Sequence, residues 1–334
     1  MGVKTLWVVL EPVKDPTPLE DLKGQTIAVD LSSWICESIA AVNAFKPHLR
    51  NLFYRVVNLS RLNIQPVFVI DGDPPELKSN ELVKRAHIQG DSKNKHGEKK
   101  PGMQRTRLKT LQYECCKLLD VLGVPYIQAT GEAEAMCALL NKEGLVDGVF
   151  TEDGDAFLYG AKKVYKNLTA GSNGSHVDVY DMLDIEEKLT LNRNKLIAMA
   201  LLMGCDYLSD GVPSVGKTNA TQLMHSLGDI DVLERFHEWT QEKSQDDDPN
   251  QIVTSDEDDD GRSIKRKRRK KKRKLTLEEK IKCKALKIDG FPNQKVIDEF
   301  LIPKDVVPST PFQHATPDFA EIMTAKQLYC GNKK

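Results

Sequence analysis

The chain has 334 residues, of which 40% are hydrophobic and 29% are charged, so it is long enough for one or two domains with a buried core. No apolar run approaches the roughly 20 residues of a membrane span, and no secretory signal is recognisable at the start. The seven cysteines form no CxxC pair. We therefore expect reduced thiols, neither disulfides nor a zinc site, and no membrane partner.

The net charge of −1 conceals two segments of opposite sign. Residues 246–260 contain eight acidic residues and no basic one, whereas residues 262–274 contain eleven Lys or Arg. Because such segments cannot bury a core, we predict a disordered linker over residues 244–280. Its basic run, residues 265–274, is a candidate nuclear import signal; a merely solvated linker is the alternative.

Apolar strands alternate with helices in the N-terminal half of the chain. Residues 26–30 and 65–71 are predicted strands, each ending in an aspartate and followed by a predicted helix. Continuous apolar strands of this kind are typical of a parallel sheet covered by helices on both faces. Ligands bind such sheets at the carboxyl ends of the strands, where Asp30 and Asp71 lie.

Two further pairs of carboxylates surround a predicted helix and strand near the middle of the chain. Glu132 and Glu134 begin an apolar helical run, and Asp153 and Asp155 follow a predicted strand over residues 146–150. We expect the short turn between helix and strand to bring both pairs to one end of the unit. We also expect the two aspartates to share one side of an extended segment. Clustered carboxylates need compensating charge, which a divalent cation supplies; helix-start acids and a simple turn are the alternative.

One more acidic residue and a pair of basic residues complete the candidate site. Asp206 follows a strongly apolar helix and either joins the cluster or merely ends that helix. Lys78 and Arg85 lie two turns apart on the helix after Asp71, so they share one face. We expect them to clamp a phosphate, with a solvated basic face as the alternative. Residues 87–106 are polar, and their few apolar residues do not recur at the spacing of a helix or a strand. This predicts a mobile loop.

Residues 211–218, GVPSVGKT, match the nucleotide-binding pattern GxxxxGKT. That pattern requires a preceding buried strand, whereas here a predicted helix, residues 195–204, and a polar turn come first. We therefore favour a turn between two helices. Its backbone amides and the helix start at Lys217 and Thr218 would face a nucleic-acid phosphate. A P-loop NTPase is the alternative.

These motifs, in this order, resemble the XPG/flap-endonuclease family of structure-specific nucleases. The matching stretches are MGVKTLW, TIAVD, FVIDGDPPELK, GEAEA, TEDGD, MGCDY and GVPSVGK. FPNQKVIDEFL (291–301) and PDFAEI (317–322) continue the likeness after the charged segment. Within the family, the opening and KPHLRNLFYR (46–55) are most similar to Gen-type Holliday junction resolvases.

The resemblance implies an α/β fold: a PIN-like nuclease core with a central, mostly parallel sheet flanked by helices, and a helix-two-turn-helix DNA-binding arm. We expect the core over residues 1–205 with a mobile cap at about 76–106, the arm over residues 206–243, and a C-terminal segment, residues 281–334, that returns to the core. Gen-type proteins carry a chromodomain beyond the matched region, so we expect this chain to be a truncated form of such a protein.

The resemblance also implies the roles of individual residues. Two Mg²⁺ ions are expected on seven carboxylates: Asp30, Asp71, Glu132, Glu134, Asp153, Asp155 and Asp206. The expected catalytic residues are Lys78, Arg85, Asp30, Glu134 and Asp155. DNA contacts are expected from Gly2, Lys78, Arg85, Gly211, Val215, Gly216, Lys217 and Thr218, with a K⁺ ion at the helix-two-turn-helix. Glu152 receives no role.

The predicted activity is Mg²⁺-dependent cleavage of branched DNA in recombination and repair. Residues 86–106 look too short for an arch that threads a free 5′ end, which favours substrates with continuous strands. We expect a monomer that dimerises on a Holliday junction and resolves it by paired nicks, and that also cuts 5′ flaps. The alternatives are a general 5′-flap endonuclease or 5′-exonuclease and a catalytically silent nucleic-acid-binding scaffold.

Overall fold

A mixed sheet of seven strands forms the centre of the protein, which the computed structural model describes over residues 2–3, 5–41, 45–79, 101–171, 174–246, 275–318 and 320. The strand order is β1-β7-β6-β5-β2-β3-β4. The strands are β1 (Asp15–Pro18), β2 (Thr26–Asp30), β3 (Gln65–Ile70), β4 (Tyr126–Gln128), β5 (Gly148–Phe150), β6 (Lys163–Gly171) and β7 (Gly174–Asp181).

The parallel pairing of the strands decides which edge of the sheet holds their carboxyl ends. β2 pairs in parallel with both β3 and β5, β3 with β4, and β5 with β6. Only β7 and β1, at one side of the sheet, are antiparallel to their neighbours. The carboxyl ends of β2, β3 and β5 therefore open onto one edge. The prediction of a mostly parallel sheet flanked by helices is confirmed.

Helices cover both faces of the sheet. They are α1 (Leu6–Leu10), α2 (Leu31–Ala41), α3 (Pro47–Arg61), α4 (Pro101–Leu122), α5 (Ala133–Lys142), α6 (Asp155–Tyr159), α7 (Met182–Leu189), α8 (Arg193–Met203), α9 (Lys217–Ser226), α10 (Val232–Asp246), α11 (Leu277–Ala285) and α12 (Gln294–Leu301). Short 3₁₀ helices occupy Glu11–Val13 and Leu19–Leu22. None of the helices in the described part of the chain is both long and apolar enough to cross a bilayer.

The alternation of side chains along β2 and β3 separates two hydrophobic cores. Val29 and Phe68 point to one face, where they pack with α2, α3 and α4. Ala28 and Val67 point to the other face, where α5, α6, α8 and the later helices gather. Because both faces are buried, the strands read as continuous apolar runs in the sequence.

The elements after the charged segment belong to the second core. α12 packs against α6 and α8, and it buries Val296, Ile297 and Phe300. Trp239 of α10 and Phe291, which lies just before α12, are buried in the same cluster. The apolar residues of the stretch 291–301 therefore pack into this core, on α12 and just before it.

Several predicted boundaries were wrong. β5 starts at Gly148 rather than 146, since the side chain of Asn141 binds the carbonyl of Val146 in the turn before it. After β5 the chain forms the short helix α6, and β6 begins only at Lys163.

Two helices extend into stretches predicted to be irregular. α4 begins at Pro101, so residues 101–106 of the predicted mobile loop are helical. α11 begins at Leu277, within the predicted linker, where Thr276 and Glu279 form a reciprocal capping box. Arg85, residues 87–100, the import candidate at 265–274 and residues 319, 321 and 322 lie outside the described residues.

Candidate metal centre

Asp30 and Asp71 lie at the carboxyl ends of neighbouring strands and are linked by one serine. Asp30 accepts hydrogen bonds from the amide of Ser32 at 2.7 Å and from the hydroxyl of Ser33 at 2.8 Å. Asp71 accepts from the amide of Ala133 at 2.9 Å and from the hydroxyl of Ser32. Burial, together with the charge of Asp71, raises the pKa of Asp30 to about 7.

The two glutamates occupy the start of α5. Glu132 is its N-cap residue and Glu134 lies in its first turn. Glu134 accepts a hydrogen bond from the hydroxyl of Thr151 at 3.2 Å, which ties α5 to the end of β5. Burial and the charges of Asp153 and Asp155 raise the pKa of Glu134 well above its usual range. The two acidic pairs therefore meet at one end of the unit, as the sequence predicted.

Asp153 and Asp155 lie close together for a different reason from the one predicted. The segment is not extended, since Gly154 has helical backbone angles and Asp155 begins α6. The amide of Asp155 donates to Asp153 Oδ1 at 3.2 Å, as in a helix cap. Asp155 is 4% exposed, and burial and the charge of Asp153 raise its pKa well above the usual value.

The N-terminal segment lies directly on the acidic cluster. The amide of Gly2 donates to Asp206 Oδ1 at 3.1 Å, and the amide of Val3 donates to Asp155 Oδ1 at 2.7 Å. Gly2 has a φ of +78°, and a Cβ at this position would lie 1.9 Å from Asp153 Oδ1. Only glycine therefore fits at this position.

Lys78 brings a positive charge into the cluster. Its Nζ lies 2.6 Å from Glu132 Oε1 and 3.6 Å from Asp206 Oδ2. Burial opposes the charged form, but the charges of Glu132 and Asp206 outweigh it and raise the pKa of Lys78. Lys78 is therefore a fixed cation. Arg85, its predicted companion, lies outside the described residues.

The donor chemistry of the cluster suits a hard divalent cation. All seven predicted ligands gather at the edge, and they offer carboxylate oxygens, which Mg²⁺ prefers. Within the described ranges, however, no group of three or more His, Cys, Asp or Glu is already arranged to hold an ion. Serine and threonine hydroxyls and backbone amides donate to several of these carboxylates, which fixes their orientation in this structure. Their assignment as ligands stays a prediction.

The turn at residues 211–218 joins two helices. α8 and an isolated bridge between Cys205 and Leu208 precede it, and α9 begins at Lys217. The buried strand that a P-loop requires is absent from this position, because the whole of residues 193–208 is described and contains no named strand. The predicted turn between two helices is confirmed.

The residues of this turn divide into inward and outward positions. Gly211 packs against α8 so tightly that a Cβ would lie 2.3 Å from the carbonyl oxygen of Leu202. Val215 is buried, and its amide donates to the carbonyl of Val212. Gly216, Lys217 and Thr218 are exposed at the start of α9. The last three are thus the positions accessible to a phosphate.

The structure also places residues at the site that the sequence did not single out. The hydroxyl of Tyr207 hydrogen-bonds to the hydroxyl of Tyr159, and burial and the charge of Glu132 raise the pKa of Tyr207. The place of Tyr207 directly after Asp206 was the only available signal. Glu152 instead faces away, because it pairs with Lys166 at 3.0 Å.

Comparison with known proteins agrees with this geometry. The XPG N-terminal domain matches residues 1–92, and the XPG I-region matches residues 123–206. The crystal structure of human GEN1 in complex with Holliday junction DNA is 38% identical, with a TM-score of 0.75 over 98% of this chain and 73% of that chain. The chain belongs to the XPG family.

Two further comparisons show how much of similar proteins this chain covers. Human Flap endonuclease GEN homolog 1 is 47% identical over 245 residues, which are 72% of this chain and 27% of that protein. The catalytic core of Rad2 in complex with DNA substrate is 29% identical, with a TM-score of 0.77 over 99% of this chain and 96% of that chain. The chain thus spans about a quarter of the full-length human relative and nearly all of a catalytic core.

Proposed function

We propose that this XPG-family chain is a Mg²⁺-dependent, structure-specific endonuclease that hydrolyses phosphodiester bonds in branched DNA. The observation that carries the proposal is the convergence of five acidic segments on one edge of the sheet, with Lys78 in contact with two of them. Buried carboxylates that raise one another's pKa, as Asp153 does for Glu134, need a cation to remain ionised at neutral pH.

Two Mg²⁺ ions held by Asp30, Asp71, Glu132, Glu134, Asp153, Asp155 and Asp206 would stabilise the charge that develops on the attacking and leaving oxygens. Asp30, Glu134 and Asp155, which end β2 and start α5 and α6, have backbones fixed by regular structure. Lys78 is already charged and in place, so it contributes to phosphate binding without a proton transfer. Arg85 is proposed as its partner.

The proposed DNA contacts come from two parts of the chain, the N-terminal segment at Gly2 and the start of α9. Gly2 packs against Asp153 and donates to Asp206, so we propose that its backbone lies beside the DNA strand that reaches the acids. The exposed start of α9 offers backbone amides, Lys217 and Thr218 to a duplex phosphate. We propose a K⁺ ion at the same turn. These contacts read the DNA backbone and its shape rather than its base sequence.

Holliday junctions are the proposed principal substrate. The support is the likeness, at 38% identity, to a human protein solved in complex with such a junction. Because a junction must be cut on two opposite strands, we propose a monomer that dimerises on the DNA. The name of the human relative, Flap endonuclease GEN homolog 1, supports flaps as a second substrate, and we propose 5′ flaps.

The decisive experiment is incubation of the purified chain with a labelled four-way junction in Mg²⁺. Symmetric paired nicks are expected, and cleavage confined to flaps would refute the resolvase proposal in favour of a general flap endonuclease. Asp155→Asn should abolish cutting but retain DNA binding. Asp147→Asn is the matched control, since Asp147 accepts from the amide of Thr26 at the amino end of β2 and should leave cutting intact.

Nuclear localisation is a separate proposal, based on the basic run at residues 265–274. Fusion of residues 262–274 to a fluorescent reporter should direct it to the nucleus. A fusion in which the Lys and Arg residues are replaced by Gln should stay evenly distributed. An even distribution of the unmodified fusion would contradict the proposal.

A further inference from the structure

We infer that Asp305 is a positioning residue for the metal centre, because it holds the loop of residues 129–131 that sets Glu132 against Asp71. Asp305 belongs to the C-terminal strap, residues 303–318, which follows α12. The inference rests on the proposed function, since it assigns this contact a role in preparing the carboxylates for Mg²⁺. It gives the segment after α12 a task at the site.

Two backbone hydrogen bonds join the turn after β3 to the loop before α5. The amide of Gly72 donates to the carbonyl of Gly131 at 2.7 Å, and the amide of Asp73 donates to the carbonyl of Thr130 at 3.2 Å. Both bonds lie directly beside metal-site carboxylates in the sequence. They therefore hold the loop at a fixed distance from the turn that begins with Asp71.

The residues on either side of this loop also bind Asp71 itself. Gln128, the last residue of β4, donates from Nε2 to the carbonyl of Asp71 at 2.5 Å. The amide of Ala133 donates to Asp71 Oδ1 at 2.9 Å. Glu132 lies between these two donors in the sequence. A shift of the loop would therefore move Glu132 relative to Asp71.

Asp305 binds this loop from the strap. The amide of Thr130 donates to Asp305 Oδ1 at 2.5 Å, while the carbonyl of Thr130 accepts from the amide of Asp73. A hydrogen bond to an ionised carboxylate is shorter and roughly twice as strong as one between neutral groups. The peptide groups on the two sides of Thr130 are thus tied to different parts of the chain, which restricts the loop more than either bond alone.

The strap lies against the loop as well as binding it. Gly131 and Glu132 from the loop, together with Pro303 and Asp305 from the strap, are among the residues that line a small cavity of about 30 Å³. The two segments are therefore neighbours over several residues, and the hydrogen bond of Asp305 is part of a packed contact.

The strap has further anchors at the opposite end of β4. His314 Nε2 hydrogen-bonds to the carbonyl of Pro66 at 2.9 Å, and the amide of Ala315 donates to the carbonyl of Gly123 at 2.8 Å. Gly123 precedes β4 and Thr130 follows it, so the strap passes from one end of this edge strand to the other. These anchors keep the strap in place, which allows its first part to hold the loop.

The test compares Asp305→Ala with Asp305→Asn. Asparagine keeps the Oδ1 acceptor and loses only the charge, whereas alanine loses both. Binding of Mn²⁺ to the DNA-free protein, followed by electron paramagnetic resonance, should weaken by about 10-fold in Asp305→Ala. In Asp305→Asn it should stay near that of the unchanged chain. An equal loss in both variants would assign the effect to charge and would overturn the positioning role.

Junction cleavage at subsaturating Mg²⁺ gives a second measurement. In Asp305→Ala, kcat should fall by about 10-fold with KM for DNA unchanged, because the misplaced carboxylates bind the ion less well. Asp305→Asn should restore kcat.

His314→Ala is the matched control, since it removes a different anchor of the same strap. It should lower the Tm without changing Mn²⁺ affinity. Lys304→Ala removes the ion pair of the neighbouring residue with Glu299 and should change neither value. A loss of Mn²⁺ affinity in His314→Ala as large as that in Asp305→Ala would show that only the stability of the strap matters, and would overturn the role of Asp305.

The outcomes separate this inference from the proposed function. Unchanged Mn²⁺ affinity and unchanged kcat in Asp305→Ala would overturn the positioning role. If Asp155→Asn at the same time abolishes cutting, the proposed function stands. Full cutting by Asp155→Asn would instead overturn the proposed function, whatever Asp305→Ala does.

Discussion

A Cβ atom on Gly2 would lie 1.9 Å from Asp153 Oδ1, so the start of the chain and the loop after β5 fit together only if the former has no side chain. The φ of +78° at Gly2 adds a second reason for glycine. This contact joins the XPG N-terminal match to the XPG I-region match at one acidic side chain.

Gly2→Ala should therefore displace Asp153 or the N-terminal segment. We expect junction cleavage to fall by about 100-fold, as displacements of about 1 Å do in active sites. Gly24→Ala is the matched control: Gly24 has a φ of +84°, but a Cβ there would have no neighbour within 4 Å. Equal cleavage rates for the two variants would show that the contact with Asp153 does not matter.

Asp30 should make the metal-free protein less stable as the pH rises. Burial and Asp71 raise its pKa to about 7, against about 3.9 in an unfolded chain. Between about pH 4 and 7 the folded state keeps a proton that the unfolded state loses, so stability falls over this window and then levels off.

Asp30→Asn, which has no charge, should remove this loss. In EDTA, its Tm should match that of the unchanged chain near pH 4 and exceed it by about 2 °C or more at pH 8. Differential scanning fluorimetry over this range checks the prediction. A Tm difference independent of pH would contradict it. With saturating Mg²⁺ the order should reverse, because only the unchanged chain has the full set of ligands.

Lys78→Met should separate phosphate stabilisation from DNA binding. We expect kcat to fall by about 100-fold with little change in junction affinity, as for the loss of one charged donor to a transition state. The metal-free protein should also lose stability, because Glu132 and Asp206 would be left without their cation. Lys109→Met is the control, since Lys109 is exposed and lies 3.9 Å from Asp73.

Single-turnover cleavage and fluorescence anisotropy distinguish the two effects of Lys78→Met. A variant that binds weakly but cuts normally at saturating protein would indicate that Lys78 contributes only to affinity. Unchanged cleavage and unchanged binding together would remove Lys78 from the site.

Lys217→Ala tests the exposed start of α9. Junction affinity should fall, and the slope of log affinity against log salt concentration should decrease by about one, because one phosphate contact is lost. Lys188→Ala removes an exposed lysine that already pairs with Asp184, and should leave the slope unchanged. ATP hydrolysis that disappeared in Lys217→Ala would instead support the rejected P-loop interpretation.

The position of Asp30 and Asp71 could be predicted because it depends on local pattern alone. An uninterrupted apolar strand is buried on both faces, such strands pair in parallel, and parallel strands end at one edge. Asp153 and Asp155 were placed together correctly but for the wrong reason, since an extended segment and a helix start both bring residues two apart into contact. The helix start is the correct explanation, but α6 has only five residues, which are too few to show a helical periodicity in the sequence.

The sequence by itself determined that four acidic segments and a lysine meet at the carboxyl edge of a parallel sheet, because apolar periodicity fixes that edge. Only the tertiary structure decided what holds them there: Gly2 against Asp153, Ser32 between Asp30 and Asp71, and Lys78 beside Glu132. These contacts join residues from distant parts of the chain through packing of specific shapes. No spacing along a sequence encodes such packing, because it depends on how whole elements settle against one another.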